Sequence, residues 1–127
     1  MRVLTFGTFD LLHIGHIRIL QRCAEFGRVT VGVSSDELSI TKKGRAPTYS
    51  LAERIAIIRA IRHVDDAFVE WSLADKPKYL REHGADILIM GDDWAGKFDH
   101  LSEICRVVYL PRTEGVSTTD VISRISG

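Results

Sequence analysis

The 127-residue chain has no net charge, because seventeen Lys and Arg are balanced by seventeen Asp and Glu. That absence excludes a role resting on global attraction to nucleic acid or to an anionic membrane surface, so any bound anion must be met by a local cluster. Cysteine is scarce: Cys23 and Cys105 are far apart and form no C-x-x-C pair, as expected of two reduced thiols in a cytoplasmic protein without a disulfide. No uninterrupted apolar run approaches the roughly 18 residues of a membrane span. A charged-then-apolar signal pattern is also missing at the N-terminus, so a cytoplasmic location without membrane insertion is expected. Repeats, low-complexity tracts and linkers are absent as well. A single domain over residues 1–127 is therefore expected, with 45% hydrophobic residues and a length that buries about two thirds of the unfolded surface.

What is present is an alternation of strand and helix signals. "RVLTF" at 2–6 is a short β-rich run closed by Gly7, and Ile14, Ile17, Leu20 and Ala24 recur at helical spacing over 14–26, with Gly27 as the expected cap. "VTVGVS" at 29–34 reads as a buried strand, followed by a polar, basic loop at 39–48. Ser50 and Glu53 have the spacing of a capping box opening a helix over 51–61. Strands are expected at 67–71, 86–91 and 106–110, and helices at 77–83 and 118–125. Alternating units of this length predict an α/β fold, a parallel sheet with helices on both faces.

In such a sheet a ligand binds beyond the carboxyl ends of the strands. The polar, glycine-bearing segments 7–16, 39–48, "GDDW" and "PRTEGVSTT" all fall there. Motif tests remove several chemistries. The first strand–helix turn lacks G-x-G-x-x-G, which disfavours hydride transfer. "GDDWAGKF" approaches a phosphate loop, but Phe98 replaces the magnesium-binding hydroxyl and Asp92 and Asp93 stand where amides should cradle phosphate. His13 and His16 are three apart with no glutamate between and no evident third ligand, unlike a helical zinc pair. No Ser-His-Asp or Cys-His arrangement suggests a covalent nucleophile. What is left for the pair is anion handling: residues three apart at a helix start share a face, and Gly15 between them leaves room for close approach. A second cluster, with six Lys or Arg from Lys42 to Arg62 against the single acid Glu53, is either a solvated face or a phosphate site.

"GTFDLLHIGH" at 7–16 resembles the G-x-F-D-x-x-H-x-G-H signature of the cytidylyltransferases, and "PRTEGVSTTD" at 111–120 is similar to their second signature, R-T-x-G-(I/V)-S-T-T. With "RHVDD", "MGDDWAGKFD" and "VVYLPRTEG" the likeness runs almost end to end. The resemblance implies a Rossmann-like five-stranded parallel sheet in the order 3-2-1-4-5 and a homodimer. It also implies an enzyme that takes CTP with Mg2+ and an alcohol phosphate, here expected to be glycerol 3-phosphate, and releases pyrophosphate.

Carried over by position, the resemblance gives His13 and His16 the triphosphate and its transition state. Gly7, Thr8, Phe9 and Gly15 would follow the nucleotide, Asp10 would organise the loop and help hold a metal ion, and Asp93 and Trp94 would border the base. Arg112 and Thr113 are expected on the phosphates, with Ser117, Thr118 and Thr119 at the start of the last helix. The basic loop departs from the family pattern in length, so Lys42 and Lys43 are both candidates for the phosphates, with Lys43 favoured because a glycine follows it. Arg54 belongs to the same basic stretch and is assigned to the acceptor phosphate with it. Arg62 and Asp65 of "RHVDD" match a segment near the acceptor site and the dimer contact. Two other readings stay open from sequence: an enzyme of the same fold using ATP, and a nucleotide-binding module without catalysis.

Overall fold

A computed structural model describes residues 1–111 and 117–126 of the chain. Five strands, β1 (Arg2–Gly7), β2 (Arg28–Ser34), β3 (Asp66–Glu70), β4 (Ile87–Gly91) and β5 (Arg106–Leu110), form one sheet. Their order is β3-β2-β1-β4-β5, and every neighbouring pair is parallel. The helices are α1 (Ile14–Phe26), α2 (Asp36–Lys43), α3 (Leu51–Arg59), α4 (Lys76–Glu82) and α5 (Thr118–Ser126). The α/β class and the strand order are as the sequence implied.

Side chains alternate across the strands, and each face has its own core. Val3, Val29, Val31, Val33, Ile87 and Ile89 pack on one face with Leu20 and Cys23 of α1 and Ile58 of α3. Leu4, Phe6, Leu88 and Met90 pack on the other with Tyr79 and Leu80 of α4 and with Leu101 and Cys105. On that second face Gly32 of β2 leaves room for an aromatic pair: a Cβ there would come within 2.4 Å of the Phe6 ring, which meets Phe68 edge-on at 5.7 Å. Both cysteines are buried free thiols. No helix among the described residues is long and apolar enough to cross a membrane.

One segment differs from its sequence reading. Residues 36–43 are helical, although the sequence reading places 39–43 in a basic loop. Ser35 caps the start through its hydroxyl, Asp36 and Glu37 stand in the first turn, Lys42 and Lys43 stand in the last, and Gly44 closes the helix at φ 76°. Acids at the positive end and bases at the negative end both favour this short helix. Elsewhere the shifts are of a residue or two at element ends, as frayed termini allow. Gly27 ends α1 because a Cβ would lie 2.1 Å from the Met1 carbonyl oxygen, which accepts the Arg28 amide at 2.9 Å.

Candidate active site

The order of strands reverses between β1 and β4, and in open sheets that reversal leaves a crevice at the carboxyl edge. A cavity of about 610 Å³ lies there, between the ends of β1 and β4, the start of α1, the last turn of α2 and the start of α5. Its size suits a nucleotide-sized ligand.

The turn from β1 into α1 is tightly built. Phe9 and Leu11 adopt left-handed backbone conformations, φ 52° and 46°, each costing of order 1 kcal/mol for such side chains. In return, the buried Phe9 ring packs below Gly7, where a Cβ would lie 3.0 Å from it, and meets the His16 ring edge-to-face at 5.4 Å. His13 then becomes the N-cap of α1. Its Nδ1 accepts the Gly15 amide at 3.0 Å, and Nδ1 of His16 accepts the His13 amide at 3.2 Å. This is a reciprocal capping box in which two imidazoles replace the usual hydroxyl and carboxylate.

The cap has an electronic consequence. A ring nitrogen that accepts a hydrogen bond cannot carry a proton, so both neutral rings hold theirs on Nε2. Burial, followed by the repulsion that a proton on His13 would exert and by the Lys43 charge, pushes the His16 pKa down to about 3, against the opposing pull of Asp10. His16 is thus a neutral N–H donor at the cavity edge.

Asp10 is buried below this layer, and its two carboxylate oxygens accept the backbone amides of Thr48 and Tyr49 at 2.7 and 2.9 Å. Burial alone would raise its pKa, but these amides outweigh it and hold the carboxyl below its ordinary range. Asp10 therefore fastens residues 48 and 49 to the first loop. The Thr118 hydroxyl donates to the Asp10 carbonyl at 3.0 Å, which ties the start of α5 to the same loop.

Lys42 and Lys43 both line the cavity. The Lys42 ammonium donates to the Ser34 hydroxyl at 2.7 Å, and burial is the main cause that lowers its pKa to about 8. Lys43 is lowered too, by burial and Arg45, with Asp10 and Asp93 opposing.

Three residues assigned to the acceptor stand elsewhere. Arg54 is fully buried and donates to the carbonyls of Tyr49, Thr8 and Ser34 and to the Asp36 carboxylate, at 3.1, 2.9, 2.8 and 2.6 Å. Its guanidinium clasps three segments under the site and does not reach the cavity. Asp65 accepts the Val29 amide at 2.7 Å, and Arg62 is exposed in the turn before β3. Both precede β3 and so sit at the amino edge of the sheet, away from the histidines of the same chain.

Of the other sequence candidates, Gly7, Thr8, Phe9, Gly15, Asp93, Trp94, Ser117, Thr118 and Thr119 line the cavity with His13 and His16, whereas Arg112 and Thr113 lie outside the described residues. The sequence reading missed Arg22, which lines the cavity and donates to the Pro111 carbonyl at 3.0 Å. A signal for it exists, since residues 13, 16, 19 and 22 follow one another at helical spacing of three.

For a metal ion, the described residues offer no group of three His, Cys, Asp or Glu side chains. Asp10 faces loop amides, which among the described residues leaves Asp93 as the carboxylate on the cavity wall. Such a donor set fits Mg2+, which keeps several waters and takes substrate phosphate oxygens in place of a protein cage.

Residues 4–124 match the protein family described as cytidylyltransferase-like. The chain is 45% identical over 127 residues to the glycerol-3-phosphate cytidylyltransferase of Bacillus subtilis (strain 168), covering 99% of this chain and 98% of that one. It is 39% identical over 127 residues to the glycerol-3-phosphate cytidylyltransferase of Staphylococcus aureus (strain NCTC 8325 / PS 47), covering 99% and 96%. The fold is similar to that of the lipopolysaccharide core biosynthesis protein from Thermoplasma volcanium GSS1, with a TM-score of 0.79 and 27% identity over 90% of this chain and 98% of that one. With a family match over nearly all of its length and the histidine-capped cavity at the strand reversal, the chain belongs to the cytidylyltransferase-like family.

Proposed function

We propose that the chain transfers the cytidylyl group of CTP to glycerol 3-phosphate, giving CDP-glycerol and pyrophosphate. The carrying observation is the reciprocal cap of His13 and His16, which fixes the protonation of two donors at the cavity edge beside two lysines. Its substrates follow from the relatives named glycerol-3-phosphate cytidylyltransferase.

In the reaction an oxygen of the acceptor phosphate bonds to the α-phosphorus of CTP as the bond to the bridging oxygen breaks, and that electron pair leaves with pyrophosphate. The attacking phosphate needs no general base, so the protein supplies position and electrostatic stabilisation. His13 and His16 donate from Nε2 to oxygens that gain charge at the reacting phosphorus. Neutral donors suit this task because they stay protonated on the same nitrogen throughout. Lys42 and Lys43 bring positive charge to the phosphates from the side of α2. Backbone amides at the start of α5 attract the β and γ phosphates, while the Thr118 hydroxyl holds that helix to the first loop. Asp93, on the cavity wall, would help hold Mg2+, which would supply charge neutralisation for the leaving pyrophosphate.

Incubation with radiolabelled CTP or ATP and a panel of polyol and sugar phosphates tests the reading. CDP-glycerol from CTP and glycerol 3-phosphate is the expected product. Preferential use of ATP, or of another acceptor, overturns it.

A further inference from the structure

Behind Lys42 lies a line of polar side chains that runs inward from the cavity. Ser34 and Glu70 are cross-strand partners at the carboxyl ends of β2 and β3. The Ser34 hydroxyl accepts from the Lys42 ammonium at 2.7 Å and donates to Glu70 Oε1 at 3.2 Å. Glu70 Oε2 in turn accepts from the Lys76 ammonium in an ion pair. Glu70 is 0% and Lys76 2% exposed. The Lys76 ammonium also sits 4.1 Å from the Phe6 ring centre and 4.9 Å from that of Phe98.

A buried ion pair is poor support for stability, since desolvation offsets most of its attraction and apolar residues of similar volume often do as well. This pair instead has an outlet. Had Glu70 no second cation, its carboxylate would draw Lys42 into an ion pair and cancel the charge that phosphate needs. Lys76 satisfies Glu70 from behind, and the Ser34 hydroxyl keeps carboxylate and Lys42 apart. The four groups together carry one net positive charge, and its outer member lines the cavity.

We infer that Glu70, Ser34 and Lys76 are positioning residues for the transfer, holding Lys42 in place and charged without locking it into an ion pair. The inference rests on the cytidylyl-transfer reading only in giving Lys42 a phosphate to meet. The groups that bear on the Lys42 charge are Glu70 of β3, which favours it, and Lys76 of α4, Lys43 of α2 and Arg54 of α3, which oppose it. Removing the first or the second must therefore shift Lys42 in opposite directions.

The test has two arms. In the first, the lysine ammonium of Lys42 is titrated by NMR in the ligand-free protein, with Lys42→Arg assigning the signal. Glu70→Gln should lower its midpoint and Lys76→Met should raise it, each by about one unit or somewhat less. Lys78→Gln, on the exposed side of α4, should leave it unchanged. Shifts of the same sign, or none, overturn the inference, and this arm needs no turnover. In the second arm, the alkaline limb of kcat/KM for CTP at fixed glycerol 3-phosphate should move with the NMR midpoints, and Lys42→Arg should abolish that limb. Ser34→Ala keeps every charge and guards against misfolding of the charge variants. It should lower turnover at least tenfold, while Ser34→Thr, which restores the hydroxyl, should recover most of that loss. Equal activity of the alanine and threonine variants would refute the role of the hydroxyl. A protein that makes no CDP-glycerol yet shows the opposed NMR shifts would lose the substrate reading and keep the relay.

Discussion

The rings of His13 and His16 lie face to face, with centres 3.9 Å apart and planes inclined by 20°. Each is tied by Nδ1 to an amide of the helix start that it caps. Structural capping uses Nδ1 of each ring, so the proposed donation to phosphate, through Nε2, asks for no change in the cap.

Replacing His16 by alanine removes one Nε2 donor and half of the reciprocal cap. Turnover should fall a hundredfold or more, about 2.7 kcal/mol of transition-state stabilisation, with a smaller change in CTP affinity. His13→Ala should lose turnover similarly and also about 1 kcal/mol of stability, because the N-cap acceptor goes with it. Steady-state kinetics together with thermal melts separates the two variants, and near-normal turnover in His16→Ala would make the pair purely structural.

The low pKa of His16 carries a signed prediction. Its value of about 3 in the fold lies below the ordinary 6.5, so the unfolded chain binds a proton on this ring that the folded chain refuses. Stability linked to His16 is therefore complete above pH 6.5 and declines as pH falls from there towards 3. Histidine NMR signals of the ligand-free protein should show His16 not titrating between pH 5 and 8, and a midpoint near 6.5 would contradict the neutral-donor assignment.

Arg54 should behave as a structural residue. Arg54→Leu leaves the carbonyls of Thr8, Ser34 and Tyr49 and the Asp36 carboxylate without their donor, at a cost of about 3 kcal/mol or more. Urea unfolding should register the loss. A variant of wild-type stability with a selectively raised KM for glycerol 3-phosphate would return Arg54 to the acceptor site.

Chelation of Mg2+ should abolish turnover and leave the melting temperature of the ligand-free protein unchanged. In the proposed reaction Mg2+ acts together with the triphosphate, so the ligand-free protein is expected to hold no ion for the chelator to remove. A drop in melting temperature on adding chelator would indicate a resident metal instead.

Local pattern was enough for much of this protein. Short, nearly continuous apolar runs mark the strands of a sheet covered on both faces. Three- and four-residue spacings mark α1 and α3 as helices and fix the inner face of α3, whereas in α1 the spacing puts Ile14 on the apolar row although it is exposed, and Leu20 and Cys23 carry the packing. The Ser50–Glu53 box opens α3 in the fold as in the sequence. The pairing of the two histidines at the start of α1 was legible because it joins residues three apart in the chain. Helix α2 was equally local, with Ser35 before two acids and Gly44 after two lysines, but the density of charge read as a loop.

What sequence could not give is which charges face inward. Lys42, Arg54, Arg62 and Lys76 are alike as letters. In the fold the first lines the cavity, the second clasps carbonyls beneath it, the third is exposed at the far edge of the sheet, and the fourth is buried against Glu70. Those fates depend on partners such as Thr8 for Arg54, 46 residues away in the chain. Hydrophobic period and capping act within a few residues and so are written in the sequence itself, whereas the burial and pairing of a charge are set by whichever strands and helices meet around it, and only the folded chain decides that.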